Sequence, residues 1–326
     1  MIGLKMFEGK NILVAGGTGT IGAQVVEQLQ AKQANVTVVS MDDEEYALKV
    51  LGPDVIFKKY DLTDADNCKK VVKNQDMVFN LVGIKGSVGI GETKVASYLV
   101  PMLRFQTNLM EASFLEGVER FLFVGSVCSY PQAEVHLEDN MWNGMPKQND
   151  RIPGIAKRVG ELMGEAYQLE YGWDAVRIVR PSNVYGPYDD FNPTTAQVIP
   201  ALINRMVNGE NPVKVWGDGS AIRDFIYSED VAYWIIKAVE NAPPCMPINL
   251  GNGNGITIKE VTETIASLIN PSPEIIWDIE KPSGDPIRIL SMDRAKEVLR
   301  YYQRTSLKDG LDKTIKWYKA NKNFKM

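Results

Sequence analysis

Residues 11–29 read NILVAGGTGTIGAQVVEQL, and this stretch decides the fold of the chain. An aliphatic run ends at Ala15, glycines follow at positions 16, 17, 19 and 22, and an amphipathic segment begins at Ile21. This order predicts a strand, a tight turn and a helix whose N-terminus and backbone N–H groups can hold a pyrophosphate. The alternative is a tight strand–helix turn without a ligand. The predicted dinucleotide contacts are Gly16, Thr18, Gly19, Thr20 and Ile21.

The alternation of strand and helix continues along the first half of the chain. Predicted strands are Asn11–Ala15, Val36–Val39, Val55–Phe57, Met77–Asn80, Phe121–Val124 and Ala175–Val179. Predicted helices are Ile21–Lys32, Asp64–Val72, Val95–Gly117 and Pro153–Tyr171. Near-continuous apolar strands that alternate with helices are typical of a parallel sheet covered on both faces. The predicted fold is therefore α/β, a Rossmann-type doubly wound parallel sheet.

The composition changes at Arg180, where RPSNVYGPYDDFNPTT is rich in Pro, Asn, Asp and Gly and predicts a long surface loop. Later elements are shorter and more scattered, which predicts a smaller α/β substrate domain at the C-terminal end. We expect the dinucleotide domain to comprise residues 1–182 and roughly 225–250. The nucleotide-sugar domain would then comprise residues 183–224 and 251–326.

Composition excludes several classes of protein. The 326 residues carry 36 Lys and Arg against 41 Asp and Glu, a net charge of −5, without a basic block. This argues against nucleic acid and membrane surfaces as partners. His136 is the single histidine, so a zinc site built on two or three histidines is impossible, and no metal is expected.

Cysteine usage and apolar runs predict the compartment. The three cysteines show no CxxC spacing, which fits a reducing environment better than a disulfide framework. The first ten residues lack the apolar core of a signal peptide, and no apolar run approaches the roughly 20 residues that span a bilayer. We expect a cytoplasmic protein.

The end of the second predicted strand selects the cofactor. It reads SMDDEE over residues 40–45, with no Lys or Arg before Lys49. Acidic residues here bind the ribose hydroxyls of NAD and repel the phosphate of NADP. Ser40 occupies the expected acidic position, which alone leaves NADP open, but the acids that begin at Asp42 favour NAD; Ser40 and Asp42 are the predicted contacts. Alternatively, the acids only favour a helix N-terminus. Asp61, after the third strand, is either a partner of the adenine amino group or the N-cap of the next helix.

Several motifs now appear in a characteristic order: AGGTGTIG, YDLTD, FLFVGSVCSYP, GIAKRVGE, RPSNVYGP, VWGDGSAIRDFIYSEDVA and GDPIR. In order and spacing the chain resembles the extended short-chain dehydrogenase/reductases of the NAD-dependent epimerase/dehydratase family, over nearly its whole length. It is most similar to the GDP-sugar branch, which includes the GDP-L-fucose synthases. The resemblance implies further cofactor contacts at Asp61, Leu62, Leu81, Val82, Gly83, Lys157, Pro181, Asn183 and Val184.

The chain departs from the family at the acid/base position. The resemblance implies catalytic roles for Ser126 and Lys157, with a tyrosine four residues before the lysine. That position is Pro153, which cannot transfer a proton. Ser126, Cys128 and Lys157 are the remaining candidates for the chemistry. Ser126 is otherwise an ordinary hydroxyl at a strand end.

A second departure concerns epimerisation. In GDP-L-fucose synthases a Cys and a His act beside the keto group; the first corresponds to Cys128 and the second to Gln197. Glutamine does not titrate, so two-base epimerisation by this pair is not expected. Cys128 is alternatively a small buried thiol. Dehydration is also not expected, because Val127 and Cys128 occupy the positions of the acidic pair found in dehydratases.

The resemblance also implies substrate contacts, at Lys85, Asn183, Val198, Trp216, Arg223 and Arg288. Arginine suits phosphate because of its planar, bidentate donors. The alternative for each arginine is a surface ion pair with a nearby Asp, such as Asp224 or Asp285, and for Lys85 a solvated loop position.

These observations predict an NAD-dependent oxidoreductase acting at C4 of a GDP-linked hexose or heptose, as a dehydrogenase or a 4-keto reductase, in cell-surface polysaccharide biosynthesis. The alternatives are a nucleotide-sugar 4-epimerase and a non-catalytic protein that senses NAD(H) or a nucleotide sugar. The family also implies a homodimer through a four-helix interface formed by residues 95–117 and 153–171.

Overall fold

The centre of the molecule is a seven-stranded parallel sheet. The computed structural model describes residues 6–84, 95–281 and 283–322. The sheet strands are β1 (Asn11–Ala15), β2 (Asn35–Ser40), β3 (Ile56–Lys59), β4 (Met77–Asn80), β5 (Arg120–Val124), β7 (Val176–Pro181) and β12 (Pro247–Leu250). Their spatial order is β12-β7-β5-β4-β1-β2-β3, and every pairing is parallel. This confirms the α/β fold predicted from the sequence.

Ten helices accompany the strands in the described residues. They are α1 (Gly22–Ala31), α2 (Glu44–Leu51), α3 (Ala65–Val72), α4 (Val95–Leu115), α5 (Arg151–Tyr171), α6 (Val198–Val207), α7 (Ser228–Asn241), α8 (Ile258–Ser267), α9 (Asp293–Leu299) and α10 (Leu307–Ala320). No helix in the described part of the chain is both long and apolar enough to cross a membrane.

Both faces of the central sheet are buried because side chains alternate along each strand. In β1, Ile12 and Val14 pack with α1 and α7 on one face. Leu13 and Ala15 pack with α3, α4 and α5 on the other. The near-continuous apolar character of β1 is therefore a direct requirement of a sheet sandwiched between helices.

Shorter strands complete the chain. They are β6 (Val135–His136), β8 (Asn183–Tyr185), β9 (Val213–Trp216), β10 (Ile222–Arg223), β11 (Phe225–Tyr227), β13 (Ile256–Thr257), β14 (Ile275–Asp278) and β15 (Ile287–Leu290). They form one sheet of order β13-β10-β15-β6 and two pairs, β11-β8 and β14-β9. A separate apolar core joins α6, α8 and α10 to β9 and β11. The domain boundaries drawn from the sequence stay a prediction.

Residues 180–195 are only in part the surface loop that their composition predicts, because residues 186–195 lie outside helices and strands but only residues 192–194 are exposed. The stretch begins inside β7 and continues as β8, which pairs with β11. Tyr185 and Phe191 are buried in the core of the smaller sheets, and Asp189 is also buried. Pro, Asn and Asp mark the turns, whereas the aromatic residues between them are large enough to enter the core.

Candidate active site

The carboxyl ends of the parallel strands meet at one edge of the central sheet. In an open α/β sheet this edge is where ligands bind. The segments that leave β1, β4, β5 and β7 there carry most of the residues predicted from the sequence.

The glycine turn after β1 is closely packed on its inner side and open on its outer side. Gly16 has φ +79°, a conformation that favours glycine. A Cβ on Gly22 would lie 2.1 Å from the Gly16 carbonyl oxygen, and one on Gly17 would lie 2.7 Å from a Val38 methyl. A Cβ on Gly19 would meet only the Gly16 oxygen, at 3.6 Å. The open side fits a pyrophosphate.

Next to Gly19 the turn is fixed by two threonines. Thr18 and Thr20 are both buried, and the Thr20 hydroxyl donates to the Tyr188 carbonyl oxygen at 3.1 Å. The following residue, Ile21, is partly buried and leads into α1. The turn therefore has a fixed shape in the protein alone.

An acidic rim lies beside this turn at the end of β2. The Asp42 carboxylate accepts from the hydroxyls of Thr18, at 2.5 Å, and Ser40, at 2.9 Å. The structure also brings in a cation that is distant in sequence, because Lys59 of β3 pairs with Asp43. The expectation of a rim without a nearby cation is therefore wrong.

Asp61 is exposed and binds the backbone after β3, where its carboxylate accepts from Thr63 N at 2.8 Å. The N-cap of α3 is Asp64, which accepts from Asp66 N. The alternative that Asp61 caps this helix is therefore wrong. Leu62 is buried beside it.

Three predicted contacts follow β4. Leu81 and Val82 are partly buried and Gly83 is exposed. The Val82 N–H donates to the buried Asn80 side chain at 3.3 Å, which shapes the start of this segment. The predicted substrate residue Lys85 lies outside the described residues.

Ser126, Cys128 and Lys157 come together where α5 packs on the turn that follows β5. The Ser126 hydroxyl accepts from Cys128 N at 3.1 Å and caps the short 3₁₀ helix Val127–Ser129. A Cβ on Gly154 would lie 2.3 Å from the Cys128 carbonyl oxygen, so glycine is required for this approach. The structure brings together the three catalytic candidates.

Lys157 is buried, with 9% of its surface exposed, and its Nζ lies 5.3 Å from the centre of the Phe123 ring. Burial lowers the pKa of Lys157 to about 8. Pro153 occupies the third position of α5, in the first turn, where no N–H is required for the helix. The helix and its lysine therefore persist without the tyrosine.

A buried polar network supports this region from below. Arg180 pairs with Glu161 at 2.6 Å, and both side chains are 2% exposed. Arg180 also donates to the Tyr130 hydroxyl at 2.8 Å, and Tyr130 donates to Asn249 at 2.6 Å. The network joins α5, β7 and β12, and the sequence analysis missed it. Its ion pair was visible in the motifs quoted above, because Glu161 ends GIAKRVGE and Arg180 begins RPSNVYGP.

The predicted phosphate ligands have partners other than those expected. Arg288 lies 2.9 Å from the Asp150 carboxylate and donates to Val127 O at 3.1 Å. Arg223 donates to the carbonyl oxygens of Ile222 and Asp285, at 2.8 and 2.6 Å. The alternative of an ion pair with a nearby acid therefore holds for Arg288, although its partner is Asp150 and the pair is mostly buried; in the described ranges Arg223 forms no ion pair with Asp224 or Asp285.

Asn183 and the strand end before it hold the backbone together. The Asn183 amide donates to Asp224 O at 2.8 Å, while Val184 is partly buried in β8 and Pro181 ends β7. Val198 begins α6, directly after the exposed Gln197, and Trp216 is 65% exposed at the end of β9.

A small recess opens beside Arg288. Its lining includes Tyr130, His136, Lys147 and Asp285. His136 is buried in β6, and its ring stacks on Tyr130 with centres 4.8 Å apart. Burial lowers the pKa of His136 to about 4, so the imidazole is neutral at pH 7.

Two titratable residues near Cys128 were missed by the sequence analysis. Asp150 precedes α5, and no motif marks it. Tyr98 on α4 donates its hydroxyl to Ile84 O, and burial raises the pKa of this phenol to about 12. Within the described ranges, no group of three or more His, Cys, Asp or Glu is placed to hold a metal.

The fold and these residues define an enzyme that uses a nicotinamide dinucleotide for oxidoreductase or epimerase chemistry. Residues 12–251 match the NAD dependent epimerase/dehydratase family, and the chain belongs to it.

Relatives and solved structures agree with the family. The chain is 29% identical over 318 residues to GDP-L-fucose synthase 1 of Arabidopsis thaliana, covering 95% of this chain and 93% of the relative. It is 29% identical over 329 residues to GDP-L-fucose synthase of Escherichia coli K12, covering 96% and 98%. UDP-glucose 4-epimerase of Thermotoga maritima, determined with UDP-glucose, superposes with a TM-score of 0.83 at 27% identity, covering 95% and 99%.

Proposed function

We propose that this protein is an NAD-dependent oxidoreductase that acts at C4 of a GDP-linked hexose or heptose, as a dehydrogenase or a 4-keto reductase. The observation that carries the proposal is the grouping of Ser126, Cys128 and Lys157 beside Arg288, at the sheet edge that also holds the open glycine turn. The similarity to GDP-L-fucose synthases supports GDP as the nucleotide. A role in making sugars for cell-surface polysaccharides follows from the same likeness.

The residues present fit a bound dinucleotide. The open side of Gly19 would face the pyrophosphate, Asp42 the adenosine ribose, and Lys157 the nicotinamide ribose. When bound, the nicotinamide supplies the redox chemistry, by taking up or returning the hydrogen of the sugar carbon with its electron pair. We choose NAD over NADP because the Asp42 carboxylate occupies the rim and would repel a phosphate. Tighter binding of NADP(H) than of NAD(H) in a titration would refute this choice.

The chain's own residues bind and orient the sugar. Arg288 and Arg223 supply cationic donors for the diphosphate, and the exposed Trp216 ring offers a surface for the base or sugar. Asn183, held on Asp224 O, would contact the diphosphate. Ser126 presents a hydroxyl at the end of β5, where it can hydrogen-bond the reacting oxygen.

The same site does not support epimerisation at C3 or C5. Pro153 has no proton to exchange, and Gln197 is exposed and does not titrate. Incubation of a 4-keto GDP-sugar with the protein in deuterated water should therefore leave C3 and C5 without deuterium by mass spectrometry. Deuterium at either carbon would contradict this part of the proposal.

Pro153 also favours a second candidate, a protein that binds NAD(H) and a nucleotide sugar without turnover. The two candidates differ in one observable. With cofactor shown to be bound, a panel of GDP-linked hexoses and heptoses should change the nicotinamide absorbance over hours for at least one member if the protein is an enzyme. No change with any of them would favour the sensor.

We further propose a homodimer through α4 and α5. These neighbouring helices expose large apolar side chains to solvent, among them Val100, Leu115, Val159, Leu162 and Leu169. Such side chains at adjacent positions are typical of an interface. Sedimentation should show a dimer, and Leu162→Glu should give a monomer of unchanged fold.

A further inference from the structure

The loss of the tyrosine leaves the reaction without its usual proton acceptor, and the structure offers another acid close by. Asp150 lies directly before α5, three residues before Pro153. Its carboxylate is 2.9 Å from Arg288, and about four-fifths of each of these two side chains is buried. Arg288 in turn donates to Val127 O, the carbonyl directly before Cys128. The ion pair is therefore anchored on the turn that carries Cys128.

The Cys128 thiol lies among these groups. Its sulfur interacts with the Asp150 carboxylate, the Arg288 guanidinium and the Ser126 hydroxyl. The thiol is only partly exposed, and the first turn of α5 presses on its backbone at Gly154. Burial and the charge of Asp150 raise the pKa of Cys128, while Arg288 and Ser126 oppose this effect. The thiol is therefore protonated at neutral pH.

We propose that Cys128 and Asp150 together replace the missing tyrosine as the proton-transfer pair, with Asp150 as the final acceptor. The inference rests on the proposed function. In the oxidation direction the sugar O–H bond breaks and its proton moves to the Cys128 sulfur, while the Cys128 S–H proton moves to the Asp150 carboxylate. The electron pair of the O–H bond becomes part of the new C=O bond. The hydrogen and electron pair of the C4–H bond go to the bound cofactor, and reduction runs the same steps backwards.

The other candidates near the thiol are less able to accept this proton. Lys157, with a pKa of about 8, is mostly protonated at neutral pH. The pKa of Tyr98 is raised to about 12, so its phenol is protonated at neutral pH, and its hydroxyl donates a hydrogen bond to Ile84 O. The Ser126 oxygen is occupied by Cys128 N. The Asp150 carboxylate, ion-paired with Arg288 at 2.9 Å, is the remaining group that interacts with the thiol.

The first test measures the pair without any turnover. The full chain with bound NAD is treated with iodoacetamide across a pH series, and alkylation of the Cys128 peptide is followed by mass spectrometry. Asp150→Asn removes a negative charge beside the thiol, so alkylation at neutral pH should rise roughly tenfold, the effect of one pKa unit. Lys157, Tyr98, Arg288 and Asp150 are the charged or titratable groups that face the thiol.

The protein contains its own controls for this measurement. Asp139→Asn removes an acid that is also paired with an arginine, Arg294 at 2.6 Å, but on the surface. This variant should keep the wild-type profile. Asp150→Glu keeps the carboxylate and should keep slow alkylation, which separates charge from folding. Cys68 and Cys245 are buried and serve as unreactive references.

The second test uses a GDP-sugar that changes the nicotinamide absorbance of the wild type. Asp150→Asn should slow a single turnover by about 10²–10³-fold, the range for a positioned acid or base. Formate, a small carboxylate, should partly restore the rate of Asp150→Ala, and Asp139→Asn should match the wild type. Tyr98→Phe should also keep its rate.

The outcomes distinguish a failure of the Cys128–Asp150 proposal from a failure of the proposed function. Identical alkylation profiles for Asp150→Asn and Asp139→Asn would overturn the pair, whether or not any sugar is turned over. Wild-type turnover by Asp150→Asn would also overturn it, and would leave the proposed function intact. A loss of turnover in Tyr98→Phe, with Asp150→Asn active, would assign the proton to the phenol instead. Failure of every GDP-sugar would refute the proposed function, and the alkylation profiles would still decide whether Asp150 controls the thiol.

Discussion

Two regions at the same edge of the central sheet differ in how they are built. The glycine turn uses consecutive residues, Gly16 to Gly22, and would bind a dinucleotide through backbone groups and the N-terminus of α1. The proposed proton-transfer region uses side chains from three places in the chain: Ser126 and Cys128 after β5, Asp150 and Lys157 around α5, and Arg288 in β15. A backbone site depends on shape, whereas a side-chain site depends on charge and on the packing that places it.

The difference explains why one region can lose a key residue and the other cannot. The inner side of the turn has no room for another atom, because a Cβ at Gly22 or Gly17 would overlap existing atoms. The side-chain region keeps its helix, its lysine and its serine after the tyrosine has become Pro153. Single substitutions should therefore abolish function in the glycine turn, and should reduce it only in part in the side-chain region.

The largest effect is expected at Gly19. Gly19→Val fills the open side of the turn, so binding of NAD(H) should fall below detection in a fluorescence titration. The fold should survive, because a Cβ there meets only the Gly16 oxygen at 3.6 Å. Unchanged circular dichroism and thermal unfolding are the controls. A variant that still binds NAD(H) normally would show that the dinucleotide does not lie on this turn.

The next effect concerns the network beneath the side-chain region. Glu161→Gln leaves the buried Arg180 without its counter-charge, and should lower the free energy of unfolding by about 3–5 kcal/mol. The surface pair Asp139–Arg294 is the matched control, and Asp139→Asn should cost about 0–1 kcal/mol. Denaturant unfolding measures both. Equal costs would mean that the buried pair does not hold this region together.

A smaller effect depends on pH. Lys157 has a pKa of about 8 in the folded protein and 10.5 as its ordinary value. Between these values the unfolded chain binds more protons, so this residue makes stability rise with pH, by about 3 kcal/mol at 1.36 kcal/mol per unit. Lys157→Met should remove that rise relative to the wild type over the same window. If the free energy of unfolding varies with pH in the same way in Lys157→Met and in the wild type, the lysine is solvated in the folded protein.

The smallest effect is expected at the substrate. Arg223→Ala should weaken binding of GDP by about 1.5–3 kcal/mol, the range for hydrogen bonds to charged groups, and leave NAD(H) binding unchanged. Isothermal titration with each ligand measures this. Unchanged affinity for GDP would show that the hydrogen bonds of Arg223 to Ile222 O and Asp285 O are its whole role.

The same contrast explains what could be predicted from the sequence. The turn and the strands around it follow from local patterns, and β1 and β4 lie within the predicted bounds. The partners of side chains could not be predicted, because the pairs Arg288–Asp150 and Lys59–Asp43 join residues that only the fold brings together. Within residues 180–195 the loop after Tyr185 was predicted, but the burial of Tyr185 and Phe191 was not, because the core that covers them comes from later segments.

One measurement tests the central claim, that this protein oxidises or reduces a sugar at C4 without the family's tyrosine. A GDP-linked sugar carrying deuterium only at C4 is incubated with the protein and NAD, and the cofactor is analysed by mass spectrometry. We predict that deuterium moves from C4 to the nicotinamide, in Asp139→Asn as in the wild type, and far more slowly in Asp150→Asn. If the bound cofactor gains no deuterium from any of the hexose and heptose substrates, the claim is contradicted, and the protein only binds its ligands.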